Sequence, residues 1–121
     1  LDKAFSFGYD TAYLSENSWN FDNIIFKYLK LCLKKPNPIG IHDMHGNVME
    51  WCYDFYGEYP DQEAPISIDP IGPIRGAKRV LRGGSFLRPA QSARSASRES
   101  LEPSWRGSEI GFRLVLGYPF R

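Results

Sequence analysis

The stretch Gly40-Ile41-His42-Asp43-Met44-His45-Gly46-Asn47-Val48-Met49-Glu50-Trp51 constrains this chain more than any other. Two carboxylates, Asp43 and Glu50, stand seven positions apart and bracket a Gly-Asn pair, with apolar and aromatic residues following. Gly and Asn reach positive φ at low cost, so Gly46-Asn47 is expected to fold the backbone over and return Asp43 toward Glu50. A tight loop between two acids offers carboxylate and carbonyl oxygens together, the mixture from which Ca²⁺ takes about six to eight ligands. The spacing is not that of an EF-hand. The same acids serve equally as turn and cap residues, or as partners for the arginines downstream.

A chain of 121 residues is the size of one domain, and one this long buries roughly two thirds of its unfolded surface. With 42% hydrophobic and 15% aromatic residues it is no disordered tail. No apolar run is long enough to span a bilayer. The N-terminus, Leu1-Asp2-Lys3-Ala4, carries no targeting signal, which leaves the compartment open. Cys32 and Cys52 are too far apart in sequence for a CxxC motif and read as buried thiols. Charge is uneven: residues 1–69 hold five lysines against eleven acids, whereas residues 70–120 hold eight arginines and one lysine against three acids. Because one small domain must pack these halves together, Arg–carboxylate pairing across the fold is preferred to nucleic-acid binding.

Along the chain, Phe5, Phe7 and Tyr9 alternate as in a half-buried strand. Phe21, Ile24, Ile25, Tyr28, Leu29 and Cys32 follow helical spacing, predicting an amphipathic helix over Asn20–Leu33 that ends before Pro36 and Pro38. Trp51, Tyr53, Phe55 and Tyr56 form an aromatic cluster expected in the core, with Cys52 among them. Residues 57–76, rich in Pro, Gly and Asp, read as a long surface loop. Strands are predicted at Arg79–Arg82 and over 110–116. Short strands, few helices and long loops make the fold class α+β with much irregular structure.

These segments carry a resemblance. Lys35 to Trp51, then Arg79-Val80-Leu81-Arg82-Gly83-Gly84-Ser85-Phe86, Arg94-Ser95-Ala96 and Gly111-Phe112-Arg113-Leu114 resemble, in order and separation, the formylglycine-generating enzyme family, also called sulfatase-modifying factors. The likeness runs from about Tyr13 to Leu116. It implies a compact variant of the C-type-lectin-like fold. It also implies a structural calcium site with side-chain ligands at Asp43 and Glu50 and carbonyl ligands at Gly46 and Val48. Formylglycine generation in the family uses a cysteine pair after Gly-Gly-Ser that binds copper, and soft thiolates suit Cu(I). Here Arg88 and Ala93 stand at those two positions, so copper is not expected. The family's N-terminal portion is not in the chain, which reads as one sulfatase-modifying-factor-like domain over residues 1–121 or the C-terminal portion of one.

Other constellations are weaker. His42 and His45 with Asp43 suit part of a transition-metal site, but an i, i+3 pair in a turn more often holds one satisfied surface residue and one cap. No nucleophile elbow accompanies Ser85, and Gly83-Gly84 lacks the lysine of a phosphate loop. Gly83 and Gly84 are expected to allow close backbone packing, with Ser85 bonded to the main chain. Arg82, Arg94, Arg98 and Arg113 are favoured as structural ion pairs over an anion site. Two functions follow. One is a noncatalytic, calcium-stabilised binding or accessory module presenting 86–92 and 100–108 to a protein, peptide or glycan, with Phe86, Arg88, Arg94, Arg98 and Trp105 as candidate ligand contacts. The other is an oxidase or oxygenase whose metal or catalytic groups come from another segment or a partner chain.

Overall fold

Four short strands form one sheet in the order β3-β2-β1-β4, in a computed structural model that describes residues 3–24, 30–59, 68 and 70–117. β1 (Met49–Phe55) is its longest member, with β2 (Arg79–Arg82), β3 (Glu99–Leu101) and β4 (Ile110–Gly111) around it. Trp, Tyr and Phe suit a pleated, half-buried surface, and β1 is built from them. β2 runs antiparallel to β1, pairing Glu50 with Arg82, Trp51 with Leu81 and Phe55 with Arg79. Between the last two pairs β1 takes four steps and β2 only two, so β1 bulges there. β4 lies parallel to β1. Met49, Val80 and Leu81 are buried in the sheet.

The remaining core is small: Phe5, Leu14, Ala90 and Ala93 cluster, with Phe7 packed against them. Leu14 comes from a one-turn helix, α1 (Leu14–Asn17), which follows a 3₁₀ turn at Thr11–Tyr13. Ala90 and Ala93 come from a second 3₁₀ turn, Ala90–Ala93. Regular structure is sparse, and the architecture is α+β and irregular, as the sequence predicts.

Several expectations change. Phe5–Tyr9 is a tight turn rather than a strand. Phe5 and Gly8 exchange both backbone hydrogen bonds, at 2.9 and 3.1 Å, because Gly8 takes φ +135°. The Phe5 and Phe7 rings stack at 5.2 Å within this turn. The expected Asn20–Leu33 helix is absent where it is described: 21–23 and 31–32 are turns, and 25–29 lie outside the described residues. Asn side chains compete with the helix here. Asn20 Oδ1 accepts the Asp22 N–H, Asn23 Oδ1 accepts the Asn20 N–H, and Asn23 Nδ2 donates to the Ser18 carbonyl. Within the expected strand over 110–116, only Ile110–Gly111 pairs, and Arg113 anchors the chain beyond it through its side chain. The aromatic cluster is not wholly core, since strand alternation leaves Tyr53 72% exposed. Nor are both thiols buried: Cys32 is exposed and Cys52 half-buried. The described part of 57–76 has no regular structure, as expected.

Candidate functional site

The loop between Asp43 and Glu50 does turn back on itself. Asp43, Gly46 and Asn47 take φ of +57°, +79° and +63°. Gly46 is required for space as well as for conformation, since a Cβ there would overlap the Trp19 carbonyl. The Asn47 N–H donates to that same carbonyl at 2.8 Å, and the Asn47 carbonyl accepts from the Phe86 N–H at 2.8 Å. The loop is thereby stitched to two distant segments. It brings Asp43, Val48 and Glu50 to the wall of one cavity of about 410 Å³, shared with Cys32 and Arg113.

Charge within this cavity is partly matched already. Arg113 forks onto Glu50, Nε to Oε2 at 2.9 Å and Nη2 to Oε1 at 2.6 Å. The same Nη2 donates to the carbonyls of His42 and Asp43 at 3.0 and 3.3 Å. The Glu50 hydrogen bond holds the guanidinium pKa above its ordinary value, against the opposing effect of burial. Asp43 Oδ2 accepts the Cys32 N–H at 2.8 Å. All four expected calcium donors are hard oxygens, the chemistry calcium takes. A carboxylate also has about four lone-pair sites, of which the guanidinium uses two on Glu50. The donors match calcium in kind, but only Asp43, Val48 and Glu50 of the expected four line the cavity, and Arg113 already holds both oxygens of Glu50.

The two histidines do not combine. His42 Nδ1 meets the Lys34 carbonyl at 2.8 Å. His45 is buried at 6% exposure, its Nδ1 2.7 Å from the Ala93 carbonyl and its Nε2 accepting the Ser6 N–H at 3.0 Å. Burial lowers its pKa, with the Ala93 hydrogen bond opposing. Both ring nitrogens are spent, which makes His45 a core strut between the Phe5 turn and the segment after β2.

At the two positions where the resemblance places cysteines, the chain has other commitments. Arg88 forks onto Glu109, Nε to Oε2 and Nη2 to Oε1, each at 3.3 Å. Ser85, buried at 1% exposure, donates to Glu109 Oε2 at 2.6 Å. Its Oγ also accepts the Leu87 N–H at 3.3 Å, so its expected main-chain bond exists but is secondary to the carboxylate. Ala93 is 1% exposed and packed in the core, against Gly84, where a Cβ would come within 2.9 Å of the Ala93 backbone. That contact requires a glycine at Gly84 in the way the sequence suggests, whereas Gly83 is favoured by its φ of +95° and has only ordinary contact at 3.5 Å with the Met44 carbonyl. The Ser85–Arg88–Glu109 cluster has no signature in the sequence, because Glu109 lies 21 positions from Arg88 with no local motif around it.

The five candidate ligand contacts are held in different ways. Arg88 is held by Glu109, Arg94 donates to the Gln91 carbonyl at 3.1 Å, and Trp105 is 57% exposed. Phe86 is half-buried, its N–H tied to Asn47. Arg98 donates to the Gly57 carbonyl at 3.0 Å and lines a second cavity. Of the arginines expected in ion pairs, Arg113 is in one; Arg82, Arg94 and Arg98 bind main-chain carbonyls instead. Among the described residues, pairing between the acidic and basic halves is seen at Arg113–Glu50.

Comparison with known proteins gives three kinds of match. The model of the sulfatase-modifying factor enzyme 1-like domain matches residues 13–117. A formylglycine-generating enzyme of Streptomyces coelicolor is 42% identical over 84 residues, covering 67% of this chain and 26% of that protein. A serine/threonine-protein kinase pkn1 of Chlamydia pneumoniae is 43% identical over 81 residues, covering 66% of this chain and 13% of its own length. Among solved structures, Treponema denticola variable protein 1 superposes with a TM-score of 0.84 at 34% identity, over 92% of this chain and 40% of that one. PvdO from Pseudomonas aeruginosa superposes with a TM-score of 0.68 at 29% identity, over 81% of this chain and 38% of that one. The chain thus spans well under half the length of each of these relatives.

Proposed function

From the premise that the chain belongs to the sulfatase-modifying factor family, we propose that it is a noncatalytic member, a binding or accessory domain stabilised by calcium. One observation carries this reading: at the positions where the resemblance places the cysteine pair stand Arg88, forked onto Glu109, and Ala93, packed in the core. Neither side chain can act as a thiolate nucleophile or a soft copper ligand. Cys52 does not replace them. Burial raises its pKa, Asp54 and Glu50 add to the rise, and Arg82 only partly opposes it, so the thiol stays protonated at neutral pH.

The loop segments 86–92 and 100–108 would meet a protein, peptide or glycan partner, with Trp105 as the largest exposed apolar group there. Calcium would be held by the Asp43 and Glu50 carboxylates and the Gly46 and Val48 carbonyls, and would stiffen the loop that ties Trp19 to Phe86. Because the relatives are longer, the rest of such a polypeptide or a partner chain would complete the functional unit. The test is incubation of the protein with a Cys-x-Pro-x-Arg peptide, copper and oxygen. Mass spectrometry should find the peptide cysteine unchanged. Conversion to the aldehyde would overturn the noncatalytic reading in favour of an oxidase.

A further inference from the structure

A cavity of about 710 Å³, distinct from the one beside Asp43, lies between β1, β2 and residues 57–59, 68 and 70–73 that follow β1. That volume is in the range of small-molecule sites. The β2–β3 register pairs Arg79 with Leu101, Val80 with Ser100 and Leu81 with Glu99. One step further along the same register sets Arg82 opposite Arg98, and both line the cavity. Like charges directly opposite on a ladder repel. Neither arginine is relieved by an ion pair among the described residues: Arg82 donates to the Ser95 carbonyl and Arg98 to the Gly57 carbonyl.

Arg98 is nevertheless held in place. Its guanidinium lies 3.7 Å from the Tyr59 ring centroid and 5.0 Å from that of Tyr56. Ring contacts restrain the guanidinium while leaving its remaining N–H donors free for a carboxylate. Asp54 and Glu58 line the same cavity, and neither is in an ion pair among the described residues. The walls are apolar where Phe55, Ile71 and Val80 contribute. They are set by close packing: a Cβ on Gly57 would come within 2.5 Å of Pro73 Cγ, and one on Gly72 within 3.3 Å of Asp54 Cβ. Two cations and two anions without an ion pair among the described residues, in one apolar-walled space, disfavour a polyanion and match a ligand that carries both charges.

We propose that this cavity binds a free α-amino acid with an apolar side chain. Its carboxylate spans Arg82 and Arg98, and its ammonium lies toward Asp54 and Glu58. The assignment gives a ligand class to the binding role proposed above but does not depend on the absence of cysteine oxidation, and the two tests have separate readouts. Melting of the purified protein is followed with L-leucine, L-methionine and L-phenylalanine in turn. The one giving the largest rise is then titrated calorimetrically beside its N-acetyl derivative and its methyl ester. One saturating site is expected, weakened about tenfold or more by blocking either end, which corresponds to about 1.4 kcal/mol. Arg98→Gln and Arg82→Gln should each weaken the free amino acid by a similar factor. Glu58→Gln, at an exposed position, leaves the fold intact and should narrow the gap between the free and N-acetylated forms. No melting shift with any of the three, or equal affinity for free and blocked forms, overturns the proposal.

Discussion

His45 shows how one residue couples the fold to pH. The Ser6 N–H needs an acceptor at Nε2 and the Ala93 carbonyl needs a donor at Nδ1, so the folded state selects the neutral ring. Its folded pKa lies below the ordinary 6.5, chiefly through burial. In the interval below 6.5 the unfolded chain therefore binds more protons than the folded one, and stability falls as pH falls. Melting temperature should fall as pH drops below about 6.5, the ordinary histidine value. His45→Gln should flatten that interval while lowering stability at pH 7.5. An unchanged slope in the variant would remove His45 from this role.

At the scale of elements, β4 departs furthest from expectation. Ile110-Gly111-Phe112-Arg113-Leu114-Val115-Leu116 has the composition of a strand, yet its ladder ends at Gly111. Phe112, Leu114, Val115 and Leu116 are 74%, 87%, 85% and 103% exposed. Apolar side chains left on an edge contribute nothing to folding stability and favour association. Leu114→Lys combined with Leu116→Lys should change stability by no more than about 0.5 kcal/mol, the usual range for surface positions. The pair should also reduce self-association in sedimentation at high concentration. A loss of several degrees in Tm would show that these side chains pack against something in the native protein. By contrast, Arg79–Arg82 behaves as the sequence predicts, because its apolar pair Val80-Leu81 lies between two neighbouring strands.

For the whole molecule, the calcium proposal is a statement about Tm. A ligand that binds only the folded state stabilises it by about 2.7 kcal/mol at a hundred times its dissociation constant. In a chain of this size that is a rise of roughly 10 °C. Protein purified without chelator should melt lower after EDTA treatment and recover with calcium. Asp43→Ala should abolish the calcium-dependent part, leaving a smaller loss of about 1 kcal/mol from its bond to the Cys32 N–H. Identical melting with EDTA and with calcium would leave Arg113 as the cation that organises this loop, through Glu50 and the carbonyls of His42 and Asp43.

Local chemistry was legible in the sequence. Gly46-Asn47 had to turn, Gly84 had to allow close approach, and the family motifs lie within the residues that the family's domain model matches. The α+β class and the absence of thiols at residues 88 and 93 followed from the same reading. Tertiary structure alone decided which charges meet. Glu50 finds Arg113 across 63 positions, Arg88 finds Glu109 across 21, and the β2–β3 register, carried one step on, brings Arg82 toward Arg98. It also decided that Asn20 and Asn23 would cap a turn instead of starting a helix. The physical reason is range. Backbone preference at a Gly-Asn pair is settled within a few residues, whereas a guanidinium's partner depends on which distant segments the sheet and its few buried side chains bring within hydrogen-bonding reach.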